Sequence, residues 1–350
     1  MSTSNNPLGL DSSATLPLIS LSASQSIGSS NAARDPILTG LSRLDEALKT
    51  ASDQAGGILR GQVTEVFGPP GVGKTQLALS AASNVLRAGG KVIWIDTSSP
   101  IPTKRLQELN PDLENFDDLI YFRASTLPHL LALLVRPPAN FPPPETALVV
   151  VDSVSSLFPS YFLNAFELKD RLAQGKIKDK AELQWLLNRR WNVTSELGTH
   201  LGRLAGRNIA VLALNQAHTK IKGQPRATLH PVLAGGGWES TAQTRITMYR
   251  DFPDERILEV TKRGGRLLPV RLPELIVSFR IEPGGLRESK TIQPDPEQTL
   301  AQNLSMTQPT PSRKRKAEDE IADSQDEDSD EDYSWMNDAV VDKKKHEDSP

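Results

Sequence analysis

The chain has no cysteine in its 350 residues, which excludes a disulfide framework and any cysteine-ligated zinc or iron–sulfur site. It has no run of 18 apolar residues, so no segment reads as a membrane-spanning helix and no membrane partner is expected. Its first stretch, MSTSNNPLGLDSSATLPLIS, has neither a basic leader nor a sustained apolar core, and so does not read as a secretory signal. Both ends are short of core-forming residues. That reduces the two domains allowed by length to one core of roughly 250 residues.

Charge is present and unevenly placed. Residues 317–350 hold 14 acidic and 3 basic residues, leaving 37 basic against 29 acidic in the rest. A basic body can support contact with a polyanion. Residues 1–35 are rich in Ser, Ala, Asn and Pro without apolar period, and residues 291–350 are dominated by Pro, Gln and charge. Neither can bury enough apolar surface to offset chain entropy, so both are expected to be disordered arms around a core at 36–290.

Within that core, short apolar runs alternate with helical patterns: QVTEVFG (62–68), KVIWID (91–96), DLIYFRAS (118–125), ALVVVD (147–152) and IAVLALN (209–215). Such runs suit strands covered on both faces, joined by crossover helices. Leu183, Leu186, Leu187, Val193, Leu197, Leu201 and Leu204 recur at helical spacing between Ala181 and Gly206, which predicts one long helix. After residue 243, TRITMYR, RILEVTKR and LIVSFRIEP predict an antiparallel extension of the sheet. The fold class is α/β with a mainly parallel sheet.

The first strand runs into GPPGVGKT, comprising Gly68, Pro69, Pro70, Gly71, Val72, Gly73, Lys74 and Thr75, followed by the helical QLALSAASNVL. This matches G-x-x-x-x-G-K-[ST]: glycines let backbone N–H groups curl around phosphate, Lys74 reaches the β/γ oxygens and Thr75 ligates Mg²⁺. A Gly-rich turn that binds nothing is the rival, disfavoured because strand, loop and helix agree. Asp152, ending ALVVVD, is placed to hold the metal with Thr75; a strand-end Asp that only caps a turn is the alternative. ATP with Mg²⁺ is the expected cofactor.

ILTGLSRLDEAL, GGILRGQVTEVFGPPGVGKTQLAL, VIWIDT, LVVVDSVSSLF, VLALNQ and GGGWESTAQTRITMYR together resemble the RecA family, specifically the eukaryotic recombinase branch and its paralogues, over residues 36 to 288. The resemblance implies a RecA-like P-loop core. It makes Gln216, in the Asn215-Gln216 pair, a γ-phosphate sensor, or else an amide that satisfies strand-end backbone. It places Arg105 on the adenine, or leaves it an exposed helix-surface arginine. Hydrolysing members follow the second strand with Asp-Thr-Glu, whose Glu orients the attacking water; this chain has Asp96-Thr97-Ser98. A serine hydroxyl cannot take the proton, so weak hydrolysis is expected, with Asp96 as a possible substitute. The family's helical DNA-binding domain and its Phe-x-x-Ala docking segment are not recognisable in the residues before Ile37. By resemblance, the expectation is a paralogue, similar to the fungal mediator paralogues, that pairs with another paralogue and assists the main recombinase.

After Gln216, Lys220, Lys222 and Arg226 lie in a Gly- and Pro-containing stretch without aromatics. This suits phosphate contact on single-stranded DNA, or is solvated loop charge. The segment 158–180 mixes Phe158, Tyr161, Phe162 and Phe166 with five basic residues, either a DNA loop with stacking rings or a helix facing a partner subunit. Arg313 to Lys316 and Lys343 to Lys345 read as nuclear import signals or as solubilising charge. Tyr333, Trp335 and Met336 sit in an acidic run that either awaits a partner or merely repels, and Ser324 and Ser329 precede acids as candidate phosphorylation sites. Two further functions are kept open. One is a DNA-dependent ATPase forming its own filament. The other is a P-loop phosphotransferase on a small molecule, for which no arginine-bearing lid is recognisable between Asp152 and Asn215.

Overall fold

A computed structural model describes residues 35–50, 55–113, 116–163, 165–178, 180–220, 228–233, 235–251, 255–269 and 272–289. The chain divides into Met1–Asp35 and Pro36–Pro350, and the fold is that of the second unit. The expectations for both arms and for the tail clusters fall outside the described residues, as do Lys222 and Arg226.

In chain order the helices are α1 (Ser42–Leu48), α2 (Lys74–Arg87), α3 (Thr103–Leu109), α4 (Leu127–Val135), α5 (Ala165–Ala173), α6 (Lys180–Ala205) and α7 (Gly236–Thr241). The strands are β1 (Val63–Phe67), β2 (Lys91–Asp96), β3 (Leu119–Arg123), β4 (Thr146–Asp152), β5 (Ala210–Asn215), β6 (Ala217–Lys220), β7 (Thr228–Pro231), β8 (Ala242–Asp251), β9 (Glu255–Arg263), β10 (Arg266–Leu267), β11 (Ile276–Glu282) and β12 (Gly285–Glu288). The central sheet runs β12-β11-β9-β8-β1-β5-β4-β2-β3, with β10 paired to β9. The pairs from β8 to β3 are parallel, and those from β8 to β12 are antiparallel.

All five apolar runs are strands of the parallel region, as their composition requires: with helices on both faces, successive side chains both point into core. Val92 and Trp94 pack with α2 residues Leu77, Ala78 and Ala81 on one face. Ile93 and Ile95 pack with α6 residues Leu197 and Leu201 on the other. The small residues of α2 let its axis sit close to the strands.

Four features differ from the sequence expectation. The first strand of the extension, β8, is parallel to β1 and only then turns antiparallel to β9. A fourth short strand, β12, closes that side. Two segments after Gln216 pair antiparallel, with Ala217 opposite Pro231, His218 opposite His230, Thr219 opposite Leu229 and Lys220 opposite Thr228. The leucine stripe of the long helix also divides. Leu197, Leu201 and Leu204 bury against the sheet, whereas Leu183, Leu186 and Leu187 join Leu168 and Ile177 in a separate cluster. The amino-terminal third of α6 therefore packs on α5 and not on the sheet.

Candidate functional site

β1 ends at Phe67 and α2 begins at Lys74, so the intervening loop must reverse into a helix start within six residues. Two glycines make that possible. A Cβ on Gly68 would lie 2.1 Å from the Met248 carbonyl oxygen, so only glycine lets the loop leave the sheet beside β8. Gly73, at φ 113°, caps α2 in a conformation that L side chains rarely adopt. The first backbone N–H groups of α2 have no partner within the helix, and a helix start of this kind suits an anion.

Lys74 is 8% exposed and its Nζ donates to the carbonyls of Gly68 at 2.5 Å and Pro69 at 2.9 Å. Burial lowers its pKa to about 8, partly offset by Asp152. Thr75 Oγ1 donates to Asp152 Oδ2 at 2.7 Å, and burial raises the Asp152 carboxyl against the opposing pull of Thr75 and Lys74. The two expected metal-holding groups therefore touch, across 77 residues of sequence. No ligand set of three or more His, Asp or Glu side chains exists among the described residues. A divalent ion here would need oxygens from a phosphate as well, which is how Mg²⁺ is ordinarily held.

Asp96 lies in register with Asp152 on the neighbouring strand. Its Oδ1 accepts the Ser98 backbone N–H at 3.0 Å and its Oδ2 accepts the Tyr121 hydroxyl at 2.7 Å. Each oxygen of the carboxylate considered as a substitute for the Glu thus has a local partner. Ser98 itself is exposed. Thr97 is buried, donating through Oγ1 to the Ser153 carbonyl at 2.7 Å and accepting the Ser153 N–H at 2.8 Å, which locks the end of β2 to the chain after Asp152.

Gln216 donates its backbone N–H to Ser155 Oγ at 2.8 Å, while its side-chain Oε1 is buried with no hydrogen-bond partner. A buried amide left unsatisfied on one side is what a site for a polar ligand and its waters leaves behind. Together with the cation, the loop glycines and the Thr75–Asp152 pair, it fits a nucleotide with Mg²⁺.

Arg105 is neither free on its helix nor open for stacking along its whole length. Its Nε donates to Gln76 Oε1 at 3.1 Å, Nη1 pairs with Glu108 Oε2 at 3.1 Å, and Nη2 donates to the Glu282 carbonyl. It ties α3 to α2 and to the end of β11. Lys220 is the last residue of β6, opposite Thr228, the first residue of β7.

A second cluster was not anticipated. Glu65, fully buried, accepts Asn215 Nδ2 at 2.7 Å and Trp238 Nε1 at 2.9 Å through Oε1, and pairs through Oε2 with Arg245 Nε at 2.7 Å. Arg245 also reaches Glu239 at 2.9 Å. This fixes the Asn215 amide so that its Oδ1 accepts the Ser155 N–H at 3.0 Å, and Ser155 in turn holds Gln216. The signal lay in VTEVF, where a carboxylate inside an apolar strand must have partners. Glu65→Ala is expected to destabilise the fold by about 3–5 kcal/mol, because Arg245 would be left buried without its main counter-charge. Denaturant unfolding with an unchanged m-value would measure it, and a loss below about 1 kcal/mol would show that the pair is dispensable.

The Rad51 family profile matches residues 36–289. A meiotic recombination protein DMC1 homologue from Glycine max is 31% identical over 269 residues, covering 73% of this chain and 68% of that protein. DNA repair protein rhp55 from Schizosaccharomyces pombe is 35% identical over 115 residues, 28% of this chain and 32% of that protein. Protein RecA from Streptomyces ambofaciens is 35% identical over 123 residues, 35% of this chain and 30% of that protein. A match running from the first bridge of the core at Ile37 to the end of β12, with the phosphate loop inside it, places this chain in the Rad51/RecA family.

Proposed function

We propose that this chain is an ATP-binding recombinase paralogue that assists assembly or stability of a recombinase filament on single-stranded DNA, in homologous recombination and double-strand-break repair. The observation that carries it is the combination at the sheet's carboxyl end: Thr75 touches Asp152 beside the buried Lys74, an arrangement that suits a nucleotide, whereas Ser98 stands at the position of the family's catalytic Glu and the oxygens of Asp96 accept from Ser98 and Tyr121. The loop residues Gly68 to Thr75 would bind the phosphates, Thr75 and Asp152 the metal, and Gln216 would sense the terminal phosphate. Bound Mg²⁺ would supply charge neutralisation between phosphate oxygens. A site that binds and hydrolyses slowly, with at most weak DNA-dependent ATPase activity, suits an assembly component better than a motor. Similarity to rhp55 supports the mediator reading.

The proposed partners are another recombinase paralogue in a heterodimer and the main recombinase, with Lys220, Lys222 and Arg226 contributing phosphate contacts to DNA. The basic tail clusters would direct the protein to the nucleus. Among the described residues no helix is long and apolar enough to cross a membrane. Affinity purification from nuclei is expected to recover a second paralogue and the recombinase. Recovery of metabolic enzymes alone would end the proposal. A second reading, a DNA-dependent ATPase that coats DNA by itself, draws on the longer alignment to the DMC1 homologue; stoichiometric coating and strand exchange by the pure protein would establish it.

A further inference from the structure

Two of the chain's five histidines face each other. His218 on β6 lies directly opposite His230 on β7, and their rings lie 5.9 Å apart between centroids with 23° between their planes. Directly opposed residues of an antiparallel pair point to one face, with Cβ atoms about 4.5–5.5 Å apart. Two imidazoles so placed repel each other once both are protonated, so the arrangement is favourable while they are neutral. Neutral imidazole is the form that binds a transition metal. His218 is 7% exposed, whereas His230 is only partly buried, which leaves a way in past the second ring.

The spacing suits coordination. Nitrogens about 2.0–2.1 Å from a shared zinc ion put imidazole centres about 5–6 Å apart. Histidine χ2 is a broad torsion, so aiming one nitrogen of each ring at a common point asks for side-chain rotation alone. His230 is also oriented from behind: its Nε2 shares a hydrogen bond with Thr228 Oγ1 at 3.0 Å. With Nε2–H donating to that hydroxyl, Nδ1 carries the lone pair, the arrangement by which an outer partner fixes the tautomer of a metal-binding imidazole. The strands themselves give a bond here its effect. β6 and β7 form a two-stranded sheet apart from the central one, four residues to a strand, and such a pair is marginal by itself in water. Val232 N–H donates to the Gln216 carbonyl at 3.1 Å, so the same register reaches back to Gln216, two residues before His218.

We infer that His218 and His230 together form a binding site for a first-row transition-metal ion, with Zn²⁺ as the working case and water in its other positions. No cysteine competes for such an ion, and hard Mg²⁺ and Ca²⁺ prefer oxygen ligands, so neither displaces it. The site uses none of the residues assigned to the nucleotide and needs neither ATP nor DNA. Among the described residues no group of three or more His, Asp or Glu could hold a metal. Two protein ligands are fewer than a structural or catalytic zinc site provides, so affinity is expected on the order of micromolar and binding is reversible. A bound ion would cross-link β6 to β7 and thereby hold the strand that starts immediately after Gln216.

The test uses the full chain without nucleotide and ZnCl₂ as the probe, read by competition with a chromophoric zinc chelator in excess Mg²⁺. Wild type is expected to take up one zinc ion per chain. His218→Ala and His230→Ala should each weaken uptake by at least the roughly 10–100-fold that loss of a mere supporting group costs, and Thr228→Val by about tenfold. His230→Cys, which keeps a zinc ligand, should retain binding, and His346→Ala in the tail should change nothing. Hydrogen exchange at 217–220 and 228–231 should slow with zinc in wild type and not in His230→Ala, a difference that a packing role alone would not produce. With Cu²⁺ in place of zinc, the EPR spectrum should carry hyperfine structure from both ring nitrogens. Should an alanine variant fail to fold, His218→Gln and His230→Gln take its place and the same loss is required. If the double variant binds zinc as wild type does, or if only one of the two substitutions weakens binding, the paired site is refuted. Wild type that takes up no zinc well above micromolar concentration refutes it as well, and leaves the nucleotide and DNA readings untouched.

Discussion

Lys74→Ala is expected to weaken ATP binding in magnesium buffer by roughly a hundredfold or more. In the free chain the ammonium is held by the carbonyls of Gly68 and Pro69, a cation folded back over its own loop. A triphosphate offers charged acceptors in their place. Each charge-assisted hydrogen bond is worth about 1.5–3 kcal/mol, so losing two costs about 3 kcal/mol at the least, which is the stated hundredfold. Titration calorimetry measures it, with thermal unfolding as a control that the variant still folds. A corollary concerns pH. With the pKa lowered to about 8 by burial, about half of the free chains carry a neutral Lys74 at that pH. A bound polyanion favours the charged form, so binding takes up protons and affinity falls as pH rises above 8. Proton uptake appears as a buffer-dependent enthalpy, and its absence in Lys74→Ala would assign it. Equal affinity of both proteins for ATP, or no affinity in either, contradicts the proposed nucleotide site.

Ser98→Glu is expected to raise ATP turnover by about tenfold or more while leaving nucleotide affinity nearly unchanged. General-base catalysis contributes about 10²–10⁴ where the base is fully positioned; a newly placed carboxylate without its supporting contacts recovers only part. Position 98 is exposed and its backbone N–H is already fixed by Asp96 Oδ1, so the longer side chain can be introduced without displacing core. The neighbouring Asp96 lies two residues earlier, and the Tyr121 hydroxyl and the Ser98 amide each donate to one of its oxygens, which holds the carboxylate where it is. Steady-state turnover with and without single-stranded DNA tests the prediction. Natural protein that already matches an active recombinase, with no gain from Ser98→Glu, would sink it.

How much of this was legible in advance depends on the range of the interaction. GPPGVGKT, the five apolar runs and the long helix are local patterns, and the structure places strands and helix within a residue or two of where they were read. The juxtaposition of Thr75 with Asp152 was inferable because the motif dictates it. The antiparallel pair after Gln216 was not, since the Gly and Pro content there reads as loop and the pairing depends on the return strand ending at Pro231. Arg105 was assigned a stacking role or none, and its bonds to Gln76 and Glu282 join elements that no local period relates.

By itself the amino-acid order determined the α/β class, the phosphate loop and the vacancy of a carboxylate at position 98, because each is a property of a few consecutive side chains. Only the tertiary structure decided that Glu65 gathers Asn215, Trp238 and Arg245 from 150 to 180 residues away. It likewise decided that β8 enters parallel to β1, and that Trp185 faces outward while Leu183 faces α5. Burial and partnership belong to the packed sheet and its two helical layers, and a periodic pattern along one segment cannot say which neighbour it will meet.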